Sequence, residues 1–259
     1  MSFDTLKLLI PQDAYNDSGT PAGLCDICLK AKHQRKITRI PVERTTKPFQ
    51  LIHSDLCGPI TPESVSGFKY FIVYIDDYSR MAWVYFLRSK SAVEVVSVFQ
   101  EFKASVEMQF PAWSITRFRC DNGRGEYDNN LFRGILRVSG ISFEPSPPYT
   151  QHKNGVSERM IWTLVTKARA MLLDAQFEDQ FWAEAINTSA YLQNRSPSRS
   201  IENLTPYELL YSEKPELNHL RRFGCAAYKL IPEEQRRNKI SERARVCGFL
   251  GYVHNTVKI

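Results

Sequence analysis

The sequence predicts an α/β fold, a mixed sheet of five strands flanked by helices. Two observations carry that prediction. Five short runs rich in β-branched and aromatic residues fall before position 145, and the longer stretches between and after them place apolar residues at helical spacing. A hydrophobic content of 43% over 259 residues supplies a real core. No run of eighteen apolar residues suggests a membrane span.

Residues 51–56 form the first predicted strand, ended by Gly58-Pro59. Residues 69–75 are almost continuously apolar, as in a strand buried on both faces. Residues 76–80 are turn-like and 81–87 return, which makes an antiparallel pair beside the first strand. Asp76 and Asp77 at this turn are expected to satisfy turn amides and are left out of any metal site. Val95, Val98, Phe99, Phe102 and Val106 place an amphipathic helix over 91–109. Residues 114–120 form the next strand and deliver Asp121 to its end, with Cys120 expected as a small packed residue. A short helix over 129–138 and a short strand over 141–144 follow.

Residues 145–155 are rich in proline and turn formers and are expected as a loop. Asn154-Gly155 turns into a helix over 156–173 that carries Glu158 on its first exposed turn, then Arg159, Lys167 and Arg169. A further helix is expected over 178–193, burying Trp182, Ala183, Ala185, Ile186 and Ala190. Thr205-Pro206 has the N-cap and first-position residues of a short helix. After Asn218 the character changes: eight basic and three acidic residues lie between Arg221 and Arg245. Apolar runs at 225–231 and 246–253 flank a charged insertion at 232–243, as at the start of a small β domain. Arg236, Arg237 and Lys239 there are candidate phosphate contacts.

Residues 1–24 are polar, with Pro11, Gly19, Pro21 and Gly23, and show no basic region leading into an apolar stretch, so no secretory signal is expected. Six cysteines without a dense framework point to a reducing compartment. Cys25-Asp-Ile-Cys28 supplies half of a tetrahedral zinc site. No histidine precedes Cys25 and the first is His33, so either the other half of such a site is missing or the cysteine pair is idle; a basic string of Lys30, Lys32, Arg35, Lys36 and Arg39 follows. A net charge of +6 and a pI near 9.0 suit an anionic partner.

Three carboxylates then stand out: Asp55 in the first strand, Asp121 at a strand end and Glu158 at a helix start. Two strand-borne aspartates and a helix-borne glutamate can converge on hard divalent cations, which prefer carboxylate oxygens. Two such ions are a common device for displacement at phosphorus. Most acidic residues are nevertheless solvated surface, Asp-Asn-Gly alone is usually a turn, and a glutamate at a helix start is favoured there without any chemistry.

The surrounding text resembles one family, the integrases of copia-type retrotransposons, relatives of retroviral integrases. The resemblance rests on Leu51-Ile-His-Ser-Asp-Leu-Cys-Gly-Pro-Ile60, Tyr70-Phe-Ile-Val-Tyr-Ile-Asp-Asp-Tyr-Ser-Arg80, Asp121-Asn-Gly, Gly125-Glu126, Pro148-Tyr-Thr150 and Asn154-Gly-Val-Ser-Glu-Arg159. It continues in Phe181-Trp-Ala-Glu-Ala185, Thr205-Pro-Tyr-Glu208 and Phe223-Gly-Cys225, in order from about Cys25 to Tyr252. It implies a ribonuclease-H-like core in which Asp55, Asp121 and Glu158 are the catalytic triad and hold two Mg²⁺ or Mn²⁺ ions. It also implies DNA 3′-end processing and strand transfer by a homo-oligomer on element ends and target DNA, with a nuclear step after a cytoplasmic one. RNA is a further candidate partner and no membrane is expected. His152, Lys153, Asn154, Arg159 and Lys167 are candidate nucleic-acid contacts. Zinc is expected only if the module at Cys25 and Cys28 is completed.

On that resemblance the chain divides into a zinc-module remnant with linker at 1–47, a catalytic core with trailing helices at 48–217, and a partial SH3-like β domain at 218–259. The chain also departs from the family. The turn after Asp121 is one residue longer than Asn-Gly-Gly-Glu, the run 150–154 lacks the usual proline and glutamines, and Ile161-Trp162 stand where Asn-Arg is common. An inactive nucleic-acid-binding remnant of a transposable-element polyprotein is the alternative, and a ribonuclease acting on RNA–DNA hybrids is a second.

Overall fold

The computed structural model describes residues 44–121, 127, 129–145, 155–253 and 256–258. Its centre is a five-stranded sheet built from β1 (Ile52–Cys57), β2 (Tyr70–Asp76), β3 (Ala82–Leu87), β4 (Arg117–Cys120) and β5 (Ser142–Pro145). The strand order is β3-β2-β1-β4-β5. β1, β2 and β3 pair antiparallel, whereas β4 lies parallel to β1 and β5 parallel to β4. The sheet is mixed and five-stranded, as the sequence predicts.

β2 shows why its run is nearly all apolar. Ile72 and Tyr74 enter one core with Ile52, Phe99, Phe102, Phe118 and Phe132. Phe71, Val73 and Ile75 enter a second core with Leu164, Ala168, Trp182 and Ile186. A strand covered on both faces has no solvent side on which polar residues could alternate. The first core lies under α1 (Ala92–Gln109) and α2 (Asn130–Val138), the second under α3 (Gly155–Ala175) and α4 (Trp182–Asn194).

Local capping sets the helix starts. Ser91 and Asn129 accept from the backbone N–H three residues on, at 3.3 and 2.8 Å. α5 (Pro206–Tyr211) opens with a capping box between Thr205 and Glu208, with Pro206 in its first turn. The five residues expected to be buried in α4 are buried. At the end of α4, the Asn194 side chain exchanges two hydrogen bonds, 2.9 and 2.8 Å, with the backbone of Ala82. That contact ties the edge strand β3 to the helix layer.

Two expected boundaries differ. The strand expected over 114–120 begins only at Arg117; Thr116 just before it donates its hydroxyl to the Gln50 carbonyl at 2.7 Å. The apolar run 246–253 divides between β7 (Ala244–Gly248), which pairs with β6 (Ala226–Leu230), and β8 (Gly251–Val253), which pairs with β9 (Thr256–Lys258). The break falls where the chain presses on α4. Gly251 has φ +127°, and a Cβ there would lie 2.2 Å from Thr188 Oγ1. The next residue, Tyr252, stacks on Tyr191 of α4 with ring centroids 4.3 Å apart.

Candidate active site

Strand alternation fixes which face of the sheet carries the chemistry. On β1, Ile52 and Leu56 belong to the first core, while Cys57 packs into the second beneath α3. His53 and Asp55 share the parity of Cys57 and so stand on the α3 face. β1 pairs with β4 as Ile52 with Phe118, His53 with Arg119 and Ser54 with Cys120. The pairing ends at Ser54 and Cys120, and Asp55 and Asp121 are the residues that follow each of them. α3 lies against β1 and β2, and its first turn holds Glu158.

Asp55 is half-buried, and its Oδ1 accepts from the Leu56 backbone N–H at 2.9 Å. Asp121 and Glu158 are exposed. Among the described residues, no trio of His, Cys, Asp or Glu is already gathered to hold a metal ion. The donor chemistry still suits a hard divalent cation. All three candidates are carboxylates, and the neighbouring thiol is a poor competitor: burial, and secondarily the Asp55 charge, push Cys57 up to about 11.

A polar layer that the sequence did not single out lies on the same face. His53 is buried, and its Nε2 meets Asp77 Oδ1 at 2.9 Å. The same carboxylate accepts from Arg80 Nη1 at 2.9 Å and from the Thr45 backbone N–H at 2.8 Å. Burial opposes ionisation of Asp77, but the bonds from His53 and Thr45 and the charge of Arg80 outweigh it and hold the carboxyl well below its ordinary range. Burial pulls the His53 pKa down despite its acidic partner. Asp76 accepts from the Phe49 N–H and from the N–H and hydroxyl of Ser79 at 2.7–2.8 Å, and burial raises its pKa even so. Both aspartates thus serve the β2–β3 turn and the chain entering β1. One strand further, Arg119 reaches Glu144 at 2.6 Å. The signal for His53 was present in the sequence, since a residue two before Asp55 on a strand shares its face. Its acceptor lies 24 residues away and carried no local signal.

On the opposite face, Tyr127 is buried and shares a 2.7 Å hydrogen bond with Ser54. Cys120 is fully buried in the first core, as a packed residue should be.

Of the candidate nucleic-acid contacts, Arg159 is exposed beside Glu158. Lys167 is oriented differently. It is half-buried, donates to Gln193 Oε1 at 2.7 Å, and burial lowers its pKa, so it faces α4. His152, Lys153 and Asn154, like Cys25, Cys28 and the basic linker, lie outside the described residues. In the C-terminal segment Arg237 and Lys239 are exposed, whereas Arg236 donates to the Ile231 carbonyl at 2.9 Å.

Comparison with known proteins matches this geometry to one family. Residues 45–151 match the family model described as Integrase core domain. The chain is 41% identical over 234 residues to the Retrovirus-related Pol polyprotein from transposon TNT 1-94 of Nicotiana tabacum, covering 90% of this chain and 17% of that polyprotein. It is 32% identical over 222 residues to the corresponding polyprotein from transposon RE2 of Arabidopsis thaliana, covering 84% of this chain and 15% of the relative. The chain therefore spans about a sixth of the length of these relatives. Among solved structures, one chain of the simian T-cell lymphotropic virus intasome in complex with PP2A regulatory subunit B56 gamma superposes with a TM-score of 0.58 at 15% identity, covering 86% of this chain and 77% of that one. At that identity the likeness shows the ribonuclease-H-like fold.

Proposed function

The chain belongs to the integrase core family, alongside the Pol polyproteins of copia-type retrotransposons, and on that premise we propose that it catalyses metal-dependent 3′-end processing and strand transfer of element DNA. The observation that carries the proposal is the parallel register of β1 and β4. It pairs Ser54 with Cys120, so that Asp55 and Asp121 each follow a paired residue, and Asp55 shares the sheet face covered by the helix whose first turn carries Glu158. Asp55, Asp121 and Glu158 would hold two Mg²⁺ or Mn²⁺ ions, which when bound activate a water or a DNA 3′-hydroxyl and offset charge at the leaving oxygen.

The residues of the chain do the rest. Asp55 and Asp121 offer carboxylate oxygens from strands whose spacing the sheet holds near 4.8 Å. Glu158 approaches from a helix anchored in the second core through Leu164, Ala168 and Leu172. His53, held by Asp77, stands two residues before Asp55 on the same face. Arg159 meets the phosphate next to the reacting one, with His152, Lys153 and Asn154 as further contacts. These groups grip the backbone and read little sequence, as suits target DNA. Joining two DNA ends calls for a homo-oligomer on DNA, and the family resemblance implies a nuclear step. Zinc would bind at Cys25 and Cys28 only with further ligands.

The experiment is strand transfer: labelled element-end duplex, supercoiled target, and Mg²⁺ or Mn²⁺, with Asp121→Asn as control. Joined product that needs the metal and vanishes in the control is expected. The second interpretation is a DNA-binding remnant. Binding without joining or nicking would establish that remnant.

A further inference from the structure

We propose that Trp162 is a stacking platform for an unpaired base at the DNA end, a specificity-determining residue of the same site; this rests on the integrase assignment above. Trp162 is 69% exposed. The other large indoles are used by the fold: Trp182 is 5% exposed and donates to the Pro62 carbonyl at 3.1 Å, and Trp83 packs against Phe49 and Phe102. Trp113 is 39% exposed and lies far from α3 in sequence. Trp162 contributes to neither core and makes no ring contact among the described residues.

Its position gives the exposure a direction. Glu158, Arg159, Trp162, Thr166, Arg169 and Leu173 are exposed on α3 at helical spacing, with Ala170 and Asp174 exposed beside the far end of that stripe, where Asp174 pairs with Arg222 at 2.6 Å. Trp162 follows Glu158 by four residues, about 6 Å along the axis. Side chains on a helix lean toward its N-terminus, so the surface an indole covers lies over the preceding turn, which here carries Glu158 and Arg159. A nucleic-acid strand whose phosphate meets Arg159 and whose reacting phosphorus meets Glu158 presents its neighbouring base to the indole face.

The chemistry of the occupant follows from that neighbourhood. A protein-docking surface needs a contiguous apolar patch. The next exposed apolar residue far enough along this stripe to matter, Leu173, lies eleven residues away, roughly 16 Å, with Arg169 between. One exposed aromatic ring between guanidinium groups is instead the composition that binds single-stranded nucleic acid, in which bases stack on rings and cations hold phosphates. Terminal bases of a duplex have lost a stacking partner on one side and are the ones such a ring can recruit.

The test uses the full chain carrying Asp121→Asn, with Mg²⁺ present, so that binding is measured without turnover. The probes are a short fluorescent duplex, either blunt or ending in a single-stranded purine overhang, and the same overhang carrying 2-aminopurine. The chain is expected to prefer the overhang. Trp162→Ala is expected to lower the overhang-to-blunt affinity ratio by about 5- to 150-fold, the range for losing one base–aromatic stack, and to abolish the 2-aminopurine quenching. Trp162→Phe keeps both the quenching and most of the preference. No preference in the parent chain, a ratio unmoved by Trp162→Ala, or equal weakening toward both probes would each overturn the proposal. Loss of self-association in Trp162→Ala with the ratio unmoved would overturn it in favour of a protein contact. Strand transfer by the chain with Asp121 intact is run in parallel, so failure of the integrase assignment appears there as absent joining, independent of the binding ratio.

Discussion

Asp77 is the residue on which the rigidity beneath the candidate site most depends, and its removal should be costly. Its side chain is 7% exposed and accepts from Thr45 N–H, Thr45 Oγ1, His53 Nε2 and Arg80 Nη1 at 2.8–3.2 Å. Asp77→Ala strands the Arg80 guanidinium, whose side chain is only 15% exposed, without its counter-charge. Breaking one half of a buried pair costs about 3–5 kcal/mol. The three further orphaned donors, two on Thr45 and one on His53, add to this less than additively, so about 4 kcal/mol is expected, a large part of a typical domain stability. Urea unfolding at pH 7 is the assay. With a slope of about 2–3 kcal/mol/M, the midpoint should fall by roughly 1.5 M. Asp77→Ala combined with Arg80→Met removes the stranded cation as well and should recover at least about 1.5 kcal/mol, because apolar replacement of a whole buried pair is often neutral. The sign with pH follows from the depressed carboxyl. A folded-state pKa below the ordinary 3.8 adds stability that is fully present above that value and lost as pH falls through the lower folded one. Asp77's own contribution to the difference between parent and Asp77→Ala should therefore be full above about pH 5 and shrink below about pH 4. Losing the support Asp77 gives the His53 pKa widens the difference as pH falls through the His53 titration. A cost under about 1 kcal/mol, or strict additivity of the two substitutions, would refute this account of the network.

Two further substitutions test the packing. The Tyr74 hydroxyl is buried without a hydrogen-bond partner among the described residues, while its ring stacks on Phe102 at 4.4 Å. Tyr74→Phe keeps the ring and removes the desolvated hydroxyl, so it should raise stability by about 0.5–1.5 kcal/mol in thermal melts; a comparable loss would mean the hydroxyl has a partner. Gly251→Ala forces a Cβ into Thr188 at a φ that L-residues avoid, at about 1–3 kcal/mol of strain. Limited proteolysis should then cut sooner within residues 218–253 while the five-stranded sheet and α1–α4 are cut no faster than in the parent, and an unchanged pattern would show that the approach to α4 is not tight.

The parts legible in the sequence were those whose cause is local. β2 announced itself because burial on both faces leaves no polar position, and α1 because its buried residues, Val95, Val98, Phe99, Phe102 and Val106, recur at helical spacing. Asp55, Asp121 and Glu158 were nominated by the motifs around them, and strand parity adds only that Asp55 and the α3 helix share a face. The division of 246–253 into two strands was hidden because its cause is tertiary: Gly251 must lie against Thr188, 63 positions earlier in the chain. The polar layer was hidden for a related reason. Asp76 and Asp77 look alike as turn carboxylates, yet their environments drive their pKa values in opposite directions. Asp77 gains a cation and an imidazole from the fold, while hydroxyl and amide donors at Asp76 do not overcome its burial.

The same logic separates Lys167 from Trp162. Both lie on the helix after Glu158, and composition alone favours the lysine as the nucleic-acid contact. Lys167 faces α4 and gives its ammonium to Gln193, so using it on a phosphate means first breaking a half-buried hydrogen bond. Trp162 faces outward and loses nothing of the fold when a base covers it. Where a helix carries a candidate catalytic acid on one exposed stripe, the neighbours at three, four, seven and eight positions decide what that acid meets, and Lys167, turned toward α4, helps hold the helix in place.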